Sequence, residues 1–198
     1  MAKSVIAQDA VEFGTYQALG SDPAAKALCA DLYRCLRSNP GRDYWSFVAL
    51  FPGEHVDGEE DFEQRLWQQL QKMHDLDAQR HGWDGSVSAD PQSPRFSFSI
   101  GGRAWYVIGL HPMASRQARR LRTVALVFNP HGQFNDLRAR GKYDTVRDHI
   151  RARDCELQGS INPMLSDHGE SSEARQYAGR AVSADWRCPF HARLQQRA

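Results

Sequence analysis

The chain has 198 residues, with 25 lysines and arginines against 24 aspartates and glutamates, and a net charge of +1. This balance gives no long-range field, which excludes a general nucleic-acid or anionic-membrane binder. A mean hydropathy of −0.63 without a long apolar run excludes a transmembrane span. The first ten residues lack a signal peptide's apolar stretch, and the four cysteines are scattered without a CxxC pair. These features predict a cytoplasmic protein with reduced thiols.

The first part of the chain predicts a strand, a helix and a second strand. Residues 11–19 favour a strand that Gly14 interrupts. Ser21 is expected to cap a helix, because its hydroxyl can accept from free first-turn amides, and residues 39–41 (Asn-Pro-Gly) end that helix. The short apolar run 44–51 is typical of a buried strand.

An amphipathic helix and a hairpin are predicted next. Apolar residues recur at helical spacing between residues 57 and 80. Residues 81–94 have the composition of a loop, and loops of this length are more often functional than passive. Strict alternation over residues 95–100, the pair Gly101-Gly102 and the apolar run 103–110 together predict a tight β-hairpin.

The remaining elements set the predicted fold class. A strand over residues 123–128 precedes a helical pattern over 133–157, which we expect to break at Gly141. Loop and short helix follow, and residues 191–198 are interpreted as a frayed tail after a single domain of residues 1–190. Because two strands form a hairpin, we predict an α+β fold with a mainly antiparallel sheet of about three to five strands flanked by helices.

Basic residues follow two of the predicted strands. His111 ends the hairpin's second strand, and Arg116, Arg119 and Arg120 follow it at helical spacing. Such a histidine can ligate a metal or haem iron or shuttle protons, and the arginines can face one anion. His131 follows the next strand, and we expect both histidines at one edge of the sheet. For His111 and the arginines, the alternative is a capped strand end followed by a solvated basic helix. For His131, the alternative is a helix cap.

The last part of the chain adds acidic residues and a cysteine. Asp167, Glu170 and Glu173 lie in a polar segment whose carboxylates can bind a cationic substrate if the segment is ordered. The alternative is a disordered linker. Cys188 precedes a proline, an arrangement that can present a thiolate to haem iron, and the alternative is a packed aromatic tail.

Several motifs together resemble the YqcI/YcgG family, which includes haem-dependent guanidine and arginine N-hydroxylases of the pre-guanitoxin N-hydroxylase type. The motifs are residues 96–99 (FSFS), 109–120 (GLHPMASRQARR), 128–134 (FNPHGQF), 150–165 (IRARDCELQGSINPML), 169–177 (GESSEARQY) and 186–190 (WRCPF). The resemblance covers residues 44–190. It implies a haem b protein that activates O2 and hydroxylates a nitrogen of an arginine-like guanidine or amine.

The matched positions suggest roles that we assign as expectations. His111 is the first candidate for the iron ligand, His131 the second and Cys188 the third. The three arginines that follow His111 are candidates for the haem propionates. The acidic segment would hold the substrate guanidinium. An external electron donor would be required, because the sequence has no flavin or nicotinamide motif.

Two other functions stay open at this point. The first is a haem-binding carrier, sensor or degenerate relative without turnover. It is favoured because longer members carry a preceding Phe-Pro-Cys segment, and a chain without it is expected to leave a haem more exposed. The second is a non-haem metal site formed by His111, His131 and His168 with a carboxylate. We expect no nucleic-acid or membrane partner, and a homodimer is possible.

Overall fold

The structure, a computed structural model, describes residues 10–41, 44–165 and 170–193. Its strands are β1 (Val11–Thr15), β2 (Ser46–Phe51), β3 (Phe98–Ile100), β4 (Arg103–Leu110) and β5 (Val124–Pro130). Its helices are α1 (Asp22–Ser38), α2 (Glu59–Asp77), α3 (Gly132–Ala139), α4 (Tyr143–Gln158) and α5 (Ala174–Tyr177), with one 3-10 turn at Gln117–Arg119. No helix in these ranges combines the length and apolarity that a bilayer crossing requires.

The five strands form one mixed sheet in the order β1-β2-β5-β4-β3. The pairs β2–β5, β5–β4 and β4–β3 are antiparallel, whereas β1 and β2 are parallel. A parallel pair needs a long crossover connection, and α1 supplies it. The predicted α+β class and mainly antiparallel sheet are therefore confirmed, with one parallel pair added.

Local sequence signals explain the first helix and the hairpin. Ser21 accepts from the Ala24 amide as the N-cap of α1, as predicted. Gly101 and Gly102 have φ values of 64° and 70°, the left-handed conformation that a two-residue hairpin turn requires. Strand β3 is shorter than predicted, because the Arg95 carbonyl accepts from the Ser88 amide in the preceding loop.

One face of the sheet is completely buried against α1 and α2. Its members have no solvent exposure: Phe47, Ala49, Phe51, Trp105, Val107, Leu126 and Phe128. Gly109 belongs to this face, and a Cβ there would lie 2.6 Å from the Phe62 ring of α2. The glycine therefore allows α2 to pack closely on β4.

The opposite face of the sheet is only half covered. Side chains alternate between the two faces along a strand, so the residues between those just named point to the other side. They include five apolar residues, all half-buried: Val48, Leu50, Ile108, Leu110 and Val127. We call these five residues the open face.

The predicted helix after β5 is divided as expected. Gly141 has a φ of 63° and separates α3 from α4. Helix α4 buries Asp154, which pairs with Arg116 next to the 3-10 turn. At the C-terminal end, His191 exchanges hydrogen bonds with Gln71 of α2, and the Arg193 amide donates to His74 Nε2 at 2.7 Å.

Candidate functional site

The two candidate histidines lie at opposite ends of the sheet. In the antiparallel pair of β4 and β5, Leu110 faces Ala125, so His111 lies at the start of β5. The His131 amide donates to the carbonyl of Ala104 at the other end of β4. Seven residues at roughly 3.3 Å each separate the two positions by about 23 Å. The expectation of a shared edge is wrong, because the carboxyl ends of antiparallel strands point in opposite directions. A metal site containing both histidines is excluded for the same reason.

His111 is packed inside the helical layer. Its side chain has no solvent exposure, and its ring stacks on Phe62 with 4.2 Å between the ring centroids. Both ring nitrogens are buried without a hydrogen-bond partner. Burial lowers the pKa of His111, opposed by the field of Glu59 and assisted by that of Arg119. His111 is therefore a neutral imidazole with neither nitrogen accessible to a ligand.

Replacing His111 by leucine should preserve or increase stability, because two unpaired buried nitrogens give way to apolar atoms. Its depressed pKa means that the unfolded chain binds a proton near pH 6.5 before the folded chain does. Wild-type stability should therefore fall as the pH decreases below about 6.5, by at most about 1.4 kcal/mol per pH unit from this group.

Urea unfolding of the wild type and His111→Leu at pH 7 and pH 5 measures this effect. The free energy of unfolding of His111→Leu should exceed that of the wild type by more at pH 5 than at pH 7. An equal or smaller difference at pH 5 would contradict the neutral buried state.

The three candidate arginines bind protein oxygens. Arg116 pairs with Asp154 and also donates to Ser160. Arg119 donates to the backbone carbonyls of residues 109, 176 and 177, linking β4 to α5. Arg120 Nε donates to the Ala114 carbonyl at 2.7 Å. The three guanidinium groups hold loop segments together and do not converge on one anion.

At the other end of β4, His131 forms a pair with Glu173. His131 Nε2 lies 3.1 Å from Glu173 Oε1, and the two side chains are 8% and 16% exposed. Both groups are therefore withdrawn from bulk water. The Phe134 ring lies near both His131 and Tyr106. Tyr106 is on the side of the sheet that carries the open face, between the pair and Ile108, the nearest open-face residue on β4.

The other predicted site residues have different positions. Glu170 is exposed and lies three residues before Glu173. Asp167 and His168 lie outside the described residues. Cys188 is buried in the hydrophobic core, and burial raises the pKa of its thiol to about 12, which leaves the thiol protonated. Within residues 10–41, 44–165 and 170–193, no three His, Cys, Asp or Glu side chains are grouped to hold a metal ion.

A cavity of about 200 Å³ adjoins His131. Its lining includes Asp84, Arg103 and Asn135. Hydrogen bonds from Ser86 and from the Ala104 amide hold the pKa of Asp84 below its usual value, although burial raises it. The cavity is polar and below the range of about 300–1,000 Å³ typical of sites for larger ligands.

The open face and its polar border were not identified from the sequence. The run 44–51 predicts a buried strand and the run 123–128 a strand, and neither pattern assigns a face of the sheet. No sequence motif marks Tyr106, whose hydroxyl donates to Gln176 Oε1 at 2.8 Å and whose pKa burial raises to about 12. In the structure, the alternation of half-buried and buried residues along β4 separates the two faces.

The fit of a haem differs between the two histidines. At His111 a haem does not fit, because Phe62 covers the ring and both nitrogens are buried. At His131 the donor set fits better: the imidazole is paired with a carboxylate, as metal-ligating histidines commonly are. The open face begins at Ile108, four residues along β4 from Ala104, with Tyr106 between them.

Comparison with known proteins gives one match. The family model described as the YqcI/YcgG family matches residues 1–191. No curated protein and no solved structure matches the chain. Because the matched residues include nearly the whole chain, the protein belongs to the YqcI/YcgG family.

Proposed function

We propose that this protein binds haem b beside the open face and uses it to hydroxylate a nitrogen of a guanidine- or amine-containing small molecule. The observation that carries the proposal is the buried pair of His131 and Glu173 near Tyr106, which shares a side of the sheet with the open face. Family membership supports the choice of haem over another planar apolar ligand. The resemblance to arginine N-hydroxylases supports the reaction and the substrate class.

The proposal gives this chain's residues distinct tasks. His131 would ligate the iron, and the apolar residues of the open face would contact the macrocycle and exclude water. Bound haem would supply activation of O2, with electrons from an external donor. Glu170, with Asp167 in the same segment, would attract the cationic substrate. The proposed location is the cytoplasm, which is compatible with the four free cysteines.

A second candidate is haem binding without turnover. It is favoured by the engagement of Glu173 with His131, which leaves this carboxylate unavailable to a substrate guanidinium. The two candidates share the same ligand and differ in whether product forms.

The test is the absorption spectrum of purified protein titrated with hemin, for the wild type, His131→Ala and the control His111→Leu. A Soret band should form with the wild type and His111→Leu, and should be lost or shifted in His131→Ala. No Soret change with the wild type would overturn haem binding. A loss confined to His111→Leu would overturn the choice of His131.

Turnover is tested separately. Haem-loaded protein is supplied with O2, a chemical reductant and arginine-like guanidines, and N-hydroxylated product is measured by mass spectrometry. Product above the level of free hemin supports the oxygenase. Its absence from a protein that binds haem supports the second candidate.

A further inference from the structure

Residues 191–193 are held on α2 by polar side chains of that helix. The Gln71 side-chain amide donates to the His191 carbonyl at 3.0 Å, and the Gln71 oxygen accepts from the His191 amide at 2.9 Å. Three residues further along α2, His74 Nε2 accepts from the Arg193 amide at 2.7 Å. The backbone of residues 191–193 is therefore bound to α2 through one glutamine and one histidine.

The His74 ring is enclosed by aromatic side chains and can bind the segment only in its neutral form. The residue is 3% exposed, and its ring centroid lies 5.3 Å from those of Trp83 and Phe190. Because Nε2 accepts a hydrogen bond, the neutral ring carries its proton on Nδ1, which is buried without a hydrogen-bond partner in the described part of the chain. A protonated imidazole has N–H groups on both nitrogens and accepts no hydrogen bond, so protonation of His74 removes the acceptor for the Arg193 amide.

The groups around His74 keep the docked ring neutral. The titratable groups on and beside this part of α2 are Asp75, Asp77, Cys29, Tyr33, His81, His191 and Arg193. Burial lowers the pKa of His74, assisted by the field of Arg193 and opposed by those of Asp75 and Asp77. Asp75 pairs with Arg193 at 3.2 Å, which offsets part of its charge. Burial raises the pKa of the Cys29 thiol to about 12, so this group stays uncharged.

We propose that His74 is a pH-sensitive clasp that holds residues 191–193 on α2 at neutral pH and releases them on acidification. Docking requires a neutral ring, whereas a released ring is open to water and binds a proton with a pKa near 6.5. Because the released state binds more protons, docking weakens as the pH falls below about 6.5. Release uncovers the polar strip of α2 formed by Gln71, His74 and Asp75. This inference is independent of the proposed function.

Hydrogen exchange of the Arg193 amide tests the clasp. It is followed by NMR at pH 7.5 and pH 5.5, and each rate is divided by the intrinsic exchange rate at that pH. A released His74 ring is about nine-tenths protonated at pH 5.5 and about one-tenth at pH 7.5, so the protection factor should decrease by up to about 10-fold. The decrease should disappear in His74→Gln, whose side-chain oxygen accepts without titrating, and persist in the control His55→Gln, since the His55 side chain is 87% exposed.

A second readout separates the hydrogen bond from the ion pair. Arg193→Ala removes the pair with Asp75 and keeps the backbone amide, whereas Arg193→Pro removes both. An amide that donates to the neutral ring stabilises that form, so the pKa of His74, measured by NMR titration of the ring, should be higher in Arg193→Pro than in Arg193→Ala. The expected difference is about 0.5–1 pH unit, the equivalent of one hydrogen bond. If His74→Gln is unfolded, this pair of variants decides, because residue 193 lies near the end of the chain.

Several results would overturn the clasp. The first is an Arg193 amide that is unprotected at pH 7.5, or whose protection changes less than about 2-fold between the two pH values. The second is a decrease that persists in a folded His74→Gln, or a pKa of His74 that is equal in the two Arg193 variants. The third is an equal loss of protection in the amides of β5, the central strand, because global unfolding and not release of the segment would then explain the exchange.

Discussion

Replacing Asp154 by alanine should decrease the free energy of unfolding by about 3–5 kcal/mol. The Asp154 carboxylate pairs with the Arg116 guanidinium and accepts from the Asn162 amide at 2.7 Å. Both side chains of the ion pair are at most 10% exposed. Without the carboxylate, the Arg116 charge would stay buried and lack its counterion. An uncompensated buried charge strongly destabilises the folded state.

Chemical denaturation of the wild type, Asp154→Ala and Asp148→Ala measures this effect. Asp148 is the matched control, because it lies on the same helix, is 63% exposed and pairs with Arg147 at 2.9 Å. An exposed pair contributes little, so Asp148→Ala should change stability by less than about 1 kcal/mol. Similar decreases in the free energy of unfolding of both variants would contradict the larger contribution expected of the buried pair.

Replacing Asp77 by alanine should decrease the free energy of unfolding by about 3 kcal/mol. One oxygen of this buried carboxylate accepts from the Tyr33 hydroxyl at 2.7 Å and the Gly101 amide at 2.9 Å, and lies 2.9 Å from His81 Nδ1. The side chain is 3% exposed. Because these contacts join α1, α2 and the hairpin turn, the substitution would leave several donors unpaired at once.

Thermal and urea unfolding of Asp77→Ala, with Glu60→Ala as the control, tests this expectation. Glu60 also lies on α2, but its side chain is 87% exposed. Hydrogen exchange of the Gly101 amide adds a local readout and should become faster in Asp77→Ala. A variant with wild-type stability and unchanged exchange would show that the carboxylate does not hold the hairpin turn.

The elements with strong local signals were predictable from the sequence. The cap at Ser21, the hairpin turn at Gly101 and the helix break at Gly141 all occur where they were expected. Each depends on neighbours a few residues away, through a side-chain cap or a backbone conformation that glycine adopts easily. The apolar runs likewise identified three of the strands.

The candidate site was only partly predictable. His131 was recognised as a residue that follows a strand, but its contact with Glu173 joins residues 42 positions apart. Likewise, the buried state of His111 follows from its stack on Phe62 of α2. No local pattern reports which distant ring will cover a histidine, since that depends on how the layers pack.

The sequence by itself determined the balanced charge, the α+β class, most helix and strand positions and the resemblance to the YqcI/YcgG family. Only the tertiary structure decided that His111 and His131 lie at opposite ends of the sheet, that one sheet face is half-exposed, and that Glu173 contacts His131. The physical reason is that periodicity and turn chemistry act over a few residues. Strand direction and layer packing instead bring together residues far apart in the chain, and side-chain accessibility follows from that arrangement.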